Sequence, residues 1–151
     1  MESQVKNIIT PEKTMEHAKM LSNRVRKNFC HLSKRFSRMN IDCFRLYDWD
    51  IPEVRAVVDW YAGHIVIAEY ERLQTGTSWL PEMAKAVGGA LGVDPQNVHM
   101  KRRHTRSQSK QRYGKIGSRG ERMVVKERDL RFLVNLTDYI DTGLHSDHRD
   151  T

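Results

Sequence analysis

The chain has little cysteine, no long apolar run and no signal-like leader. Its two cysteines, Cys30 and Cys43, stand thirteen positions apart and form no CxxC pair. A thiolate zinc site is therefore not expected. No stretch approaches the ~18 consecutive apolar residues of a membrane span, and the opening MESQVKNIITPEK lacks the apolar core of a signal peptide. These absences suggest a cytoplasmic chain with reduced thiols and no membrane partner. There is no internal repeat and no long low-complexity tract.

Some catalytic and metal signatures are also missing. Asp48, Asp50 and Glu53 form a carboxylate cluster, but no Gly follows at the sixth position and no Glu at the twelfth, as an EF-hand loop requires. Turn capping is the better reading, because Asp side chains readily bond turn amides. Ser33, Ser146 and the scattered histidines make no nucleophile–base pair, so no catalytic residue is assigned. His145 to His148 at the chain end is not read as a metal site.

What is present is a strongly basic chain of one-domain size. Its 151 residues carry a net charge of +7 with a pI near 9.6, and 38% are hydrophobic. A domain of this length buries roughly 70% of its unfolded surface, enough for one modest core. The charge balance favours a polyanionic partner, with nucleic acid ahead of an acidic membrane.

The first basic feature is helical. Thr10-Pro11-Glu12 reads as a helix start: a capping hydroxyl, a proline whose missing N–H does no harm, and an acid near the positive helix end. No proline or glycine interrupts the following stretch to Arg38. Met15, Ala18, Leu21, Val25, Phe29, Leu32 and Phe36 recur at steps of three and four and define an apolar stripe. Arg24, Lys27, His31, Lys34, Arg35 and Arg38 form a second, basic stripe. No acid lies between Arg24 and Arg38, so no intrahelical pair neutralises these charges. A solvated helix face is the bland alternative; the missing acids favour phosphate contact.

Next comes an α+β pattern. Strands are expected over 41–47, 54–61 and 64–70, with Ala62-Gly63 closing a hairpin between the last two. A helix capped by Ser78 is expected over 79–91. Trp79, Met83, Ala86, Val87 and Ala90 would form its inner face, and Gly92 its end. Strand character resumes over 98–104. Two last strands are expected over 122–128 and 131–136, with Arg128-Asp129 at their turn.

Between them lies the second basic feature. Lys101, Arg102, Arg103, Arg106, Lys110, Arg112, Lys115, Arg119 and Arg122 place nine cations in twenty-two residues, opposed only by Glu121. Tyr113 offers a stacking face, and Gly114, Gly117 and Gly120 supply backbone adaptability. Guanidinium for phosphate, an aromatic for an unstacked base and glycine for adaptation make a composition suited to RNA. A basic loop without a partner is the alternative.

Five segments together resemble one family: NRVRKNFCHLSK (23–34), IDCFRLYDWDIPE (41–53), VIAEY (66–70), VNLTDYIDTGL (134–144) and the DHR at 147–149. The resemblance is to the region preceding the S-adenosylmethionine (SAM) domain in the second module of the bacterial bifunctional 23S ribosomal RNA guanine methyltransferases, the RlmKL type. It covers about Met20 to Arg149. It implies a helical arm and a small α+β domain of strands around one main helix, both ahead of a Rossmann-like domain. It also implies SAM-dependent methyl transfer to guanine of 23S rRNA, at N7 in this module. Asp141, Thr142, Gly143, Leu144, Asp147, His148 and Arg149 would then lie near the cofactor, although His145-Ser146 stands where the family commonly has an apolar pair.

The glycine-rich donor turn, the ribose-binding acid and the Asn/Asp-Pro-Pro-type segment of such a site are not found in the 151 residues. The expected organisation is a basic helical arm (1–40), a small RNA-contacting α+β domain (41–140) and the start of a linker into a SAM-binding domain (141–151). The chain is expected to bind 23S rRNA, to bind no SAM by itself and to be inactive alone. A separate or downstream SAM-binding domain would be its partner. The expected RNA contacts are Arg24, Lys27, Lys34, Arg35, Arg38, Lys101, Arg102, Arg103, Arg106, Lys110, Arg112, Tyr113 and Lys115. The alternative is a stand-alone RNA-binding or ribosome-associated protein without catalysis.

Overall fold

The computed structural model describes residues 8–70, 72, 75–103 and 123–136. Its first element is helix α1, Pro11–Arg38. Thr10 caps it in extended geometry, with Oγ1 accepting from the Lys13 N–H at 3.2 Å. Proline at the first position leaves no donor wasted, and Glu12 lies in the first turn, as the sequence leads one to expect.

Strands β1 (Cys43–Asp48), β2 (Ala56–Tyr61) and β3 (His64–Tyr70) form an antiparallel meander. The β2–β3 turn is Ala62-Gly63 with φ of 48° and 96°. Two positive φ values match the twist of a two-residue hairpin, and glycine accepts one of them without strain. Helix α2 (Trp79–Leu91) then carries the chain over to β4 (Val98–Arg103), which pairs parallel to β3. A parallel pair needs such a crossover. The sheet order is β1-β2-β3-β4. A separate antiparallel pair follows, β5 (Met123–Glu127) and β6 (Leu130–Val134). The described residues thus form the α+β fold that the sequence suggests.

The four-stranded sheet has two apolar sides. On one, Leu21 and Val25 of α1 and Trp79, Met83 and Val87 of α2 meet Phe44, Leu46, Val58, Ile65 and Ile67. On the other, Val125, Val134 and Leu136 meet Cys43, Tyr61 and Val66. Leu21 and Val25 are fully buried, each contributing about 1.5–3 kcal/mol relative to exposure. Asn28 Nδ2 donates to the Leu46 carbonyl at 2.7 Å and fixes α1 along β1. The helix expected as an arm therefore packs its apolar stripe into the core while its opposite face stays free.

Several expectations change in detail. Met15 is exposed at 62%, while Thr14 and His17 are buried. The first turns of α1 are phased by their contact with α2, which turns the buried stripe away from Met15. On α2 the buried face includes Leu80 and Ala84, with Ala86 and Ala90 only half-buried. Ser78 makes no side-chain cap, whereas Gly92 ends the helix in left-handed geometry at φ 67°. The strand expected at residue 41 begins at Cys43, and Ile41 bridges to Glu127 instead. The strand expected from residue 54 begins at Ala56, because Val54 donates to the Ile51 carbonyl in the turn around Pro52.

Candidate nucleic-acid interface

The free face of α1 carries the expected basic stripe. Lys27, His31, Lys34, Arg35 and Arg38 are all exposed. Their positions follow from the same helical period that buries Leu21 and Val25, so anchoring the apolar stripe aims the basic one outward. With Lys27, Lys34, Arg35 and Arg38 stand Cys30, His31 and Met39; together they line a groove of about 760 Å³. The lining contains four permanent cations and no carboxylate. Cys30 and Met39 were missed by the charge pattern, because an apolar wall of a basic groove leaves no charge signal.

Arg24 belongs to this stripe in the sequence, but its Nη1 reaches Asp50 Oδ2 at 4.0 Å. The acid that opposes it comes from the β1–β2 turn, which helical spacing cannot reveal. The same turn explains the carboxylate cluster. Asp50 Oδ1 accepts from the Asp48 N–H at 3.2 Å, and Asp48 pairs with Arg45 at 3.5 Å. Turn capping is thus what Asp50 does. Among the described residues no group of three or more His, Cys, Asp or Glu could hold a metal ion.

The strand end of the basic loop behaves differently from the expectation. Lys101 is buried at 2% exposure. It stands opposite Ala68 in the sheet, where the pleat turns it inward. Arg102 Nε donates to buried Glu69 Oε1 at 3.1 Å, and its Nη2 donates to the Thr77 carbonyl at 3.1 Å. That guanidinium ties β4 to β3 and to the entrance of α2. Arg103 is half-buried, and its Nε is buried without a hydrogen-bond partner. Arg106, Lys110, Arg112, Tyr113 and Lys115 lie outside the described residues. So do Asp141, Thr142, Gly143, Leu144, Asp147, His148 and Arg149.

A second cluster lies at the end of the sheet, built on Trp49, Arg55 and Tyr70, to which sequence reading assigned no binding role. The Arg55 guanidinium lies 4.4 Å from the centroid of the Trp49 ring, and Trp49 lies 5.4 Å from Tyr70. No periodic signal joins residues 49, 55 and 70; strand pairing does.

The methyl donor implied by the resemblance does not fit the described residues. A donor turn belongs at a strand-to-helix crossover of a parallel pair. Here that crossover is β3–α2. It carries the single glycine Gly76, and Arg102 occupies the neighbouring Thr77 carbonyl.

The fold itself recurs in solved chains. A Streptococcus mutans protein assigned as a SAM-dependent methyltransferase superposes with a TM-score of 0.56 over 87% of this chain and 34% of its own, at 16% identity. SMU.776, assigned as a methyltransferase and complexed with SAH, gives 0.55 over 90% of this chain and 33% of its own, at 19% identity. Fold and basic face thus define an α+β module of a kind built into larger chains.

The sequence is similar to one segment of ribosomal RNA large subunit methyltransferase K/L. It is 41% identical to that of Magnetococcus marinus over 145 residues, which is 88% of this chain and 19% of the relative. It is 41% identical to that of Alcanivorax borkumensis over 144 residues, 90% and 20% of the two chains. For Pseudomonas putida (strain W619) the figure is 40% over 144 residues, 92% and 20%. The chain therefore spans about a fifth of the length of the curated relatives it matches. No family model matches the chain. No helix among the described residues is long and apolar enough to cross a membrane.

Proposed function

We propose that this chain is the RNA-contacting portion of a SAM-dependent 23S rRNA guanine methyltransferase. The groove on α1 carries this reading: four cations line it without an opposing carboxylate. It occurs in a chain about 40% identical to part of an rRNA methyltransferase. Phosphate oxygens would offset the mutual repulsion of Lys27, Lys34, Arg35 and Arg38, and Arg35 and Arg38 can each take a phosphate bidentately. The loop cations Arg106, Lys110, Arg112 and Lys115, with Tyr113, extend the contact. Lys101 and Arg102 drop out of it, since one is buried and the other serves the sheet.

In this reading the 151 residues position the rRNA and leave methyl transfer to a SAM-binding domain. That domain is the partner, and the complex works in the cytoplasm. Residues 141–149 form the approach to the cofactor and act only alongside it.

The test is fluorescence anisotropy with a structured 23S rRNA fragment across a salt series. Log K should fall with log salt by about 0.7–0.9 for each phosphate neutralised. Replacing Lys34, Arg35 and Arg38 by Glu should abolish most of the affinity. Binding indifferent both to salt and to that triple change overturns the proposal.

A further inference from the structure

We infer that Trp49, Arg55, Tyr70 and Arg103 form a second RNA contact, a site for an unstacked nucleotide of single-stranded RNA. The inference rests on the RNA reading above but uses residues on a different part of the molecule.

Strand pairing assembles the row. Tyr70 N–H donates to the Arg55 carbonyl at 2.9 Å, and Tyr70 is the register partner of Arg103. Directly opposed residues on neighbouring strands share a sheet face. Arg55, just ahead of β2, therefore lines up with Tyr70 at the end of β3 and Arg103 at the end of β4. Trp49 is added from the β1–β2 turn. Its ring is tilted 31° to Tyr70, and Arg55 lies against it at 4.4 Å. The indole is held in place: Nε1 donates to the Pro52 carbonyl at 3.1 Å, and the residue sits at φ 51°. For a bulky side chain that conformation costs energy, yet it leaves Trp49 exposed at 37%. The other two tryptophans are half-buried Trp60 and buried Trp79.

The charge in this corner is unbalanced. Asp48 pairs with Arg45, Asp50 with Arg24 and Glu69 with Arg102, which among the described residues leaves exposed Glu53 as the unpaired acid of the turn. Among the described residues, Arg55, Arg72 and Arg103 have no ion pair. The Nε atoms of Arg55 and Arg103 are buried without a hydrogen-bond partner. Arg72, whose Nη2 donates to the Glu53 carbonyl, is held below its ordinary pKa by burial and then by Arg55, against the opposing pull of Glu69. Neither Arg55 nor Arg103 is engaged by a carboxylate of the described residues, so the outer nitrogens of both guanidiniums are left to meet an arriving phosphate. A guanidinium held against an indole is already oriented, so little freedom is lost when an anion docks. Rings beside cations on a sheet face match how proteins bind unpaired bases: stacking for the base, charge for the backbone. A lone carboxylate partner would use the cations and leave the exposed indole idle, which favours a nucleotide.

The experiment titrates the full chain with a fluorescein-labelled decauridylate, which has no secondary structure, and with an RNA hairpin. Trp49→Leu should weaken decauridylate binding about 5- to 150-fold, the range of one stacked base, and the pair Arg55→Ala/Arg103→Ala should weaken it as well. Hairpin affinity should change little. Decauridylate should also quench tryptophan fluorescence in the unmodified chain, and Trp49→Phe should remove that quenching. This second readout stands even if the arginine pair fails to fold. Wild-type affinity for decauridylate in the folded variants, or quenching that survives Trp49→Phe, overturns the site. The groove variant Lys34→Glu/Arg35→Glu/Arg38→Glu separates the two ideas. If it alone loses RNA, the groove stands and the corner falls; if no variant changes binding, both fall.

Discussion

Trp79 donates its indole N–H to Nδ1 of His17 at 3.1 Å, with the two rings edge-on at 80°. Both side chains are buried, and the bond joins α2 to α1 across sixty-two positions. The acceptor must be a lone pair, so His17 is neutral with its proton on Nε2.

That bond makes stability depend on pH. Burial, and next the Arg72 charge, push the His17 pKa below 6.5; Lys13 adds to this, while Glu53 and Glu16 oppose it. The unfolded chain then binds the proton more readily than the folded one. The stabilisation is complete above pH 6.5 and is lost as pH falls from there towards the folded pKa. Urea unfolding from pH 8 to pH 5 should show stability falling by up to about 1.4 kcal/mol per pH unit from this group. His17→Gln should flatten that slope.

The paired glycines of α2 should respond with opposite signs. A Cβ at Gly89 meets nothing within 4 Å, so Gly89→Ala should stabilise by about 0.5–1 kcal/mol through helix propensity. A Cβ at Gly88 would lie 3.2 Å from Val98 Cγ2 and 3.4 Å from the Val93 carbonyl. Val98 is a stiff β-branched side chain packed against the core, so Gly88→Ala should lose that gain and destabilise. Thermal unfolding of the two variants makes the comparison.

Arg102 and Lys34 look equivalent by charge but should fail differently. Arg102→Glu sets a second carboxylate against buried Glu69 and should cost about 3 kcal/mol of stability. Lys34→Glu, on the exposed groove, should stay within about 0.5 kcal/mol while weakening RNA binding. Denaturation and anisotropy on the same two proteins separate the roles.

The groove should also set the salt response. Replacing Lys27, Lys34 and Arg38 by Gln should make the log K against log salt plot shallower by about 2–3, at roughly 0.7–0.9 per lost phosphate contact. An unchanged slope would place the phosphate contacts elsewhere on the chain.

Much of this protein was legible one residue after another. The α1 cap at Thr10, the Ala62-Gly63 turn and the Gly92 stop are local devices, and each forms as its residues suggest. The basic stripe was legible too, because a 3.6-residue period maps sequence directly onto a face. Met15 shows the limit: the period was right, but which residues lead inward depended on where α2 sits.

The sequence by itself therefore determined the elements and the sign of the charge. Propensity, capping and periodicity act within a few residues, and composition does not depend on folding. The tertiary structure decided which charges are free. Lys101 is turned inward by strand register, Arg102 is taken by Glu69 thirty-three residues away, and Arg24 meets Asp50 from another turn. It also gathered Trp49, Arg55, Tyr70 and Arg103 at one sheet end. Those relationships are set by pairing between distant strands, and no local pattern encodes them.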